Sequence, residues 1–169
     1  MRVLLVDGYN IIHAWPRLAA LLEPKLEHAR DELVSSLEPL ADLDDFQVWV
    51  VFDAGMADRS FVQLEERGSL KILYSRKGQS ADALIEELAS RMAANNEVSV
   101  ATGDHAEGDL AFFHGARVLS ADMLAREVEH AKKEITQQTE RLRGEQRPSR
   151  LEERVPEEMR LLLDELRFR

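Results

Sequence analysis

The chain has 169 residues, 44% of them hydrophobic and 32% charged, with a formal net charge of −10 and no cysteine. That length buries one sizeable core and points to a single domain with an appendage. The missing cysteine excludes disulfides, zinc-thiolate centres and thiol nucleophiles, and the acid excess argues against a protein that grips nucleic acid through a broadly basic surface.

In chain order, residues 3–6 (VLLV) form a short apolar run that stops at Asp7 and Gly8. Such a run, half of it β-branched, predicts a strand buried on both faces. Gly8 permits a tight turn and a close backbone approach. Asp7 then stands at the C-terminal tip of a central strand, the edge at which open α/β sheets bind ligands. An aspartate there also serves as an ordinary turn or cap residue, so this position alone leaves both roles open. Pro16 with Leu18, Leu21 and Leu22 predicts a short helical turn. Pro24 opens a longer helix with a stripe of Leu26, Ala29, Leu33, Leu37 and Leu40, and Pro39 falls near its end.

Residues 46–52 (FQVWVVF) predict a second strand, again closed by an acid and small residues, Asp53-Ala54-Gly55. Residues 56–69 read as a loop or frayed helix, and 70–74 (LKILY) as a third strand followed by a basic turn, Arg76-Lys77-Gly78. Ser80 caps the clearest helix, whose stripe is Ala81, Leu84, Ile85, Leu88, Ala89 and Met92. Asp82 lies in its first turn and Glu86 shares that face one turn on, although an acid in a first turn also simply favours the helix dipole. A fourth strand, 98–101, leads to Thr102-Gly103-Asp104, and a short helical segment follows between His105 and His114. A fifth strand, 117–119, precedes a helix capped by Ser120 and carrying Leu124, Val128, Ala131 and Ile135. Over 136–149 the chain turns polar, with Gly144 and Pro148 as helix breakers, which predicts a linker or surface arm. A last helix with Met159, Leu162, Leu163 and Leu166 on one side covers the core or a partner. The expected division is a domain over 1–136 and a polar linker with a C-terminal helix over 137–169.

Strands alternating with helices predict an α/β fold with a mainly parallel sheet covered on both faces. Asp7, Asp53 and Asp104 then share one sheet edge, and Asp82 faces it if its helix begins beside the third strand's tip. Converging carboxylates repel unless protons or a cation sit among them. Oxygen ligands without histidine or cysteine suit Mg²⁺ or Mn²⁺, ions that stabilise charge on a phosphodiester and activate water. Phosphate-loop, dinucleotide and nucleophile-elbow motifs are absent. A haloacid-dehalogenase-like phosphatase would need a second aspartate where Tyr9 stands. His13 and His105 fall near the acidic edge, as aids to proton transfer or as plain surface groups.

The segment VDGYNIIHAW at 6–15 resembles the opening motif of NYN domains, specifically the YacP-like branch of the PIN-like nuclease group. Further blocks match in the same order: VVFDAG at 50–55, SADALIEELA at 80–89, TGDHAEGDLAFFHGARVLSAD at 102–122 and LLLDELR at 161–167. The resemblance covers nearly the whole chain. It implies a PIN-like α/β/α sandwich with a C-terminal helical extension and a metal-dependent endoribonuclease acting on single-stranded RNA. By the same resemblance Asp7, Asp82 and Asp104 form the acidic, metal-holding centre with Asn10 beside it, while Asp53, Glu86 and Asp109 support it. Gly108 departs from the glutamine that members of the branch often carry before Asp109. Mg²⁺ or Mn²⁺ is the implied cofactor and RNA the partner, with the ribosome a plausible further one. Tyr9, Arg76 and Lys77 are candidates for contacting substrate, the aromatic ring by stacking, as Trp15 also could, and the cations through phosphate. The competing class is a non-catalytic RNA- or ribosome-binding module of the same fold. No segment approaches the ~20 apolar residues of a membrane span and no signal-peptide pattern opens the chain, so a cytoplasmic protein is expected, as monomer or homodimer.

Overall fold

The computed structural model describes residues 1–23, 25–55, 60–103, 115–144 and 157–167. Six strands form one sheet: β1 (Arg2–Asp7), β2 (Phe46–Phe52), β3 (Gln63–Arg67), β4 (Leu70–Tyr74), β5 (Glu97–Ala101) and β6 (Arg117–Leu119), in the spatial order β3-β4-β2-β1-β5-β6. Every neighbouring pair is parallel except β3 with β4. β1 is central because it can be: Val3, Leu4, Leu5 and Val6 are all nearly inaccessible, alternate residues facing opposite layers. Each buried aliphatic side chain of that kind contributes on the order of 2 kcal/mol of transfer free energy.

The helices are α1 (Gly8–Ala14), α2 (Pro16–Ala19), α3 (Leu26–Ala41), α4 (Ala81–Met92), α5 (Ala121–Gly144) and α6 (Glu157–Arg167). One layer packs Ile11, Ile12, Leu18, Leu33, Leu37 and Leu124 from α1, α2, α3 and α5 against Leu4, Val6, Val50 and Phe52. The other packs Leu84, Ile85 and Leu88 of α4 with Met159, Leu163 and Leu166 of α6 against Val3, Leu5, Trp49 and Val51. The chain is therefore an α/β sandwich with a mainly parallel sheet. β1 runs through α1–α3 to β2 on one side, whereas β4 runs through α4 to β5 on the other. The direction of winding reverses at β1, and its carboxyl end is the crevice where such sheets bind ligands.

Two expectations need correction and one is narrowed. Residues 63–67 are an antiparallel edge strand, not loop or helix; Glu65 pairs with Ile72 and Arg67 with Leu70. Of the linker or surface arm expected from residue 136 onward, the first part is an arm: the helix begun at Ala121 runs on through Thr136 to Gly144. Leu26, placed on the buried stripe of α3, is 42% exposed at that helix's first position. α6 does cover the core, filling the second layer. Among the described residues no helix is long and apolar enough to cross a membrane.

Candidate active site

The site begins with the junction of β1 and α1. The helix starts at Gly8 without any intervening loop, and Asp7 is both the last strand residue and the helix N-cap, its Oδ1 accepting a 3.2 Å hydrogen bond from the Asn10 backbone N–H. The junction needs glycine because of packing, not because of backbone handedness. Gly8 is absent from the glycines with positive φ, but a Cβ there would be driven into the ring of Phe52, which is fully buried. Asp7 is consequently closed over, only 7% exposed. Burial pushes its carboxyl up to about 7. The Asn10 N–H opposes that shift, while a hydrogen bond with Asp82 and the charges of Asp82 and Asp53 add to it.

Asp53 lies two residues beyond Val51, the register partner of Asp7 on β2. Its side chain is exposed, and its Oδ1 accepts a 2.7 Å hydrogen bond from the backbone N–H of Ala81, the first residue of α4. Ser80 caps the same helix end by accepting from Ala83 N–H at 3.1 Å. Two free donors of the first turn are thus satisfied, and the turn is fixed where Asp82 reaches Asp7. Glu86 sits one turn further along α4, half-buried.

The loop between β4 and α4 is held by Ser75, a residue that sequence reasoning misses. It is fully buried. Its Oγ accepts from Ala54 N–H at 2.9 Å and donates to Gln79 O at 2.7 Å, and its own N–H donates to Phe52 O. One hydroxyl therefore ties the loop after β2 to the loop before α4. A serine next to a basic turn carries no signal for this; only the pairing of Phe52 with Tyr74 reveals it. Gly103 is missed in the same way. It is buried at the end of β5 against the side chain of Asn10, and a Cβ there would collide with Asn10 Oδ1.

Asp7, Asn10, Asp53 and Asp82 are thus brought together at the carboxyl edge. Asp104 and Asp109, like His105, lie outside the described residues. Among the described residues no group of three His, Asp or Glu side chains is placed to hold a metal ion. Arg76 and Lys77 occupy the turn before α4, where Gln79 N–H donates to Arg76 O; Arg76 is half-buried and Lys77 exposed. Tyr9 is half-buried with its ring 5.0 Å from that of Phe52, so one side of it belongs to the core. Trp15 is half-buried and anchored at one edge, its Nε1 donating to Ala121 O at 3.1 Å. His13 Nδ1 is 2.6 Å from Tyr9 O within its own helix.

The donor set is of the kind a divalent ion takes: carboxylate oxygens and an amide oxygen, with the one buried carboxyl pushed up to about 7, chiefly by burial. Two carboxylates with water and substrate phosphate are a usual complement for Mg²⁺.

The chain has relatives in sequence and in fold. The model of the YacP-like NYN domain matches residues 4–168. Over 148 residues the chain is 34% identical to the uncharacterized protein YacP of Bacillus subtilis (strain 168), spanning 86% of this chain and 85% of that one. It is similar to the crystal structure of Rae1 (YacP) from Bacillus subtilis, with a TM-score of 0.66 at 34% identity over 86% of this chain and 83% of the other. A tryptophan-to-leucine variant of that protein gives a TM-score of 0.64 at 31% identity over 99% and 93%. With the family match running through the acidic edge and both helical layers, the chain belongs to the nuclease-like NYN domain family, in its YacP-like branch.

Proposed function

We propose that this protein is a divalent-metal-dependent endoribonuclease that hydrolyses single-stranded RNA, with messenger RNA at the ribosome as one candidate substrate. The observation that carries the reading is the buried carboxyl of Asp7 against Asp82 at the tip of the central strand. Burying an acid beside two others costs stability, and the arrangement makes chemical sense if a cation takes the place of the proton. Asp7 and Asp82 would hold Mg²⁺ or Mn²⁺, with Asp104 as the third acid that the family resemblance supplies. The ion's contribution when bound is Lewis-acid stabilisation of the phosphodiester and a lowered pKa of water.

The chain's own residues do the rest. Asp53 and Ser75 fix the first turn of α4 and so the direction of Asp82. Asn10, on the exposed side of α1, presents an amide that orients substrate or attacking water. Arg76 and Lys77 hold the RNA backbone as point charges on phosphate. The reaction is in-line attack of water on phosphorus, leaving a 5′-phosphate and a 3′-hydroxyl.

The test is cleavage of single-stranded RNA in Mn²⁺ by the wild type, Asp7→Asn and Asp82→Asn. Loss of a metal-holding carboxylate is expected to lower kcat/KM by roughly 100-fold or more, because several kcal/mol of charge stabilisation go with it. Equal cleavage by all three would mean a contaminant and would overturn the reading. The net charge of −10 favours, as second reading, a non-catalytic RNA- or ribosome-binding module. Calorimetric titration separates the two: no uptake of Mn²⁺ at millimolar concentrations would select the module.

A further inference from the structure

The exposed face of α1 carries a side chain that the acidic edge leaves unused. His13 stands one turn after Asn10 on the solvent side of the helix, while Ile11 and Ile12 enter the core. Its ring is held in place. Nδ1 lies 2.6 Å from the carbonyl oxygen of Tyr9, one turn back. A carbonyl only accepts, so Nδ1 carries the hydrogen and donates it. This bond draws the ring back over the preceding turn, towards the helix start that Asp7 caps. It also sets the tautomer. In the neutral ring Nε2 is left as a bare acceptor on an exposed side chain.

The neighbours on this flank are otherwise engaged. Asn10, nearer to Asp7, lays its Oδ1 against Gly103 at the end of β5. Arg17, beyond His13, donates to Glu32 at 2.8 Å and to Ser36 at 3.1 Å. Among the described residues nothing donates to Nε2 of His13.

An acceptor of fixed direction selects a ligand that brings a hydrogen. A phosphate diester oxygen brings none, and against the neutral ring it sets lone pair to lone pair. The ribose 2′-hydroxyl does bring one, and it is the group by which a protein tells RNA from DNA at a given position. We propose that Nε2 of His13 accepts a hydrogen bond from the 2′-hydroxyl of a nucleotide flanking the cleavage point and so makes this protein prefer RNA to DNA. The proposal rests on the ribonuclease reading and gives that site its sugar specificity.

Two measurements on the full chain test it. In the first, kcat/KM in Mn²⁺ is compared for one single-stranded RNA and for the same strand with one nucleotide at a time made 2′-deoxy. The wild type is expected to lose about fivefold at one position beside the cut, the size of a single neutral hydrogen bond, and little elsewhere. His13→Ala is expected to be about fivefold slower on the all-RNA strand and to lose nothing more at that position. His13→Gln, which restores an acceptor, is expected to keep part of the preference, which separates a lost acceptor from a lost ring. His130→Ala, at an exposed histidine of α5, is expected to match the wild type.

In the second, binding of the same strands to Asp7→Asn, alone and combined with His13→Ala, is followed by fluorescence anisotropy, which needs no cleavage. Asp7→Asn is expected to bind the RNA about fivefold more tightly than the strand deoxy at that position, and the double variant is expected to bind both equally. If the wild type cuts no RNA, the ribonuclease reading falls and the binding comparison alone decides. A protein indifferent to every deoxy substitution, a penalty that persists without His13, or no binding to either strand overturns the proposal. So does a penalty that follows a neutral methylphosphonate linkage instead of the missing hydroxyl, which would make His13 a phosphate contact.

Discussion

The tips of β1 and β2 are written in nearly the same way, an apolar strand, an aspartate and a small residue, yet the two aspartates end in different surroundings, one buried and one exposed. At β1 the helix begins at the next residue, so Asp7 is capped from above by its own chain and is 7% exposed. At β2 the chain leaves through Ala54 into Gly55, whose φ of 61° turns it away, and Asp53 remains exposed with its carboxylate occupied by Ala81 N–H. The element after the acid, helix or loop, decides whether it becomes a buried, proton-retaining group or a structural clasp. The first suits an acid that binds a cation; the second suits an acid that aims a helix.

The sharpest way to break this comparison is to remove each charge in turn. Asp7→Asn is expected to cost about 100-fold or more in RNA cleavage, whereas Asp53→Asn, which keeps an acceptor for Ala81 N–H, is expected to cost only about fivefold. Equal losses, measured as kcat/KM, would erase the distinction between the two tips.

The same contrast has a pH signature. Asp7 titrates near 7 in the folded chain against 3.8 unfolded. A carboxyl raised in this way contributes stability that is full below the unfolded value and is lost as pH rises through the folded one. Metal-free protein is therefore expected to lose roughly 4 kcal/mol between about pH 4 and pH 8 from this one group. Asp7→Asn, still a competent N-cap, is expected to lack that slope and to exceed the wild type in stability at about pH 8. Adding Mn²⁺ at that pH is expected to raise Tm for the wild type and not for Asp7→Asn, through preferential binding to the folded state. Urea titrations across the pH range check the sign.

Next in size is the packing that closes the β1 tip. Gly8→Ala sets a methyl against the Phe52 ring, which has nowhere to go, and is expected to destabilise by about 2 kcal/mol. Ser75→Ala leaves Ala54 N–H and Gln79 O without their partner in a fully buried place, for about 1.5 kcal/mol. It is also expected to lower kcat more than Gly8→Ala does, since α4 loses its aim; denaturant curves paired with kcat separate the two effects.

These two residues mark the limit of what the sequence discloses. β1, β2 and α4 are legible because burial on both faces or along one stripe leaves an unbroken apolar pattern. β3 is not, because an edge strand with Gln63, Glu65 and Glu66 exposed has only its pairing with β4 to define it. The outer half of α5 is invisible for a related reason: between residues 132 and 142 every residue but Ile135 is exposed, so no stripe is required. At the site, carboxylates at strand ends can be seen one at a time, and their order in the chain predicts their shared edge. The hydroxyl of Ser75 and the empty Cβ position of Gly103 are long-range facts, set by Gln79 and Asn10, and no local pattern encodes them; at Gly8 the close approach is legible, but not that Phe52 makes it.

The smallest expected effect concerns the basic turn after β4. Arg76 and Lys77 are cations beside a cluster of acids, and the chain as a whole repels RNA. If they hold phosphate, each removed charge lowers the number of counterions released on binding, and the slope of log Kd against log salt falls by roughly 0.7 per cation for a single strand. Lys77→Ala, the exposed one of the pair, is expected to weaken RNA binding by only about threefold at physiological salt and equally for all sequences. Binding measured by anisotropy at several salt concentrations, with Asp7→Asn as background to prevent cleavage, reads the slope directly. An unchanged slope would return the turn to the role of a solvated connector and leave the orientation of RNA to the residues of the acidic edge alone.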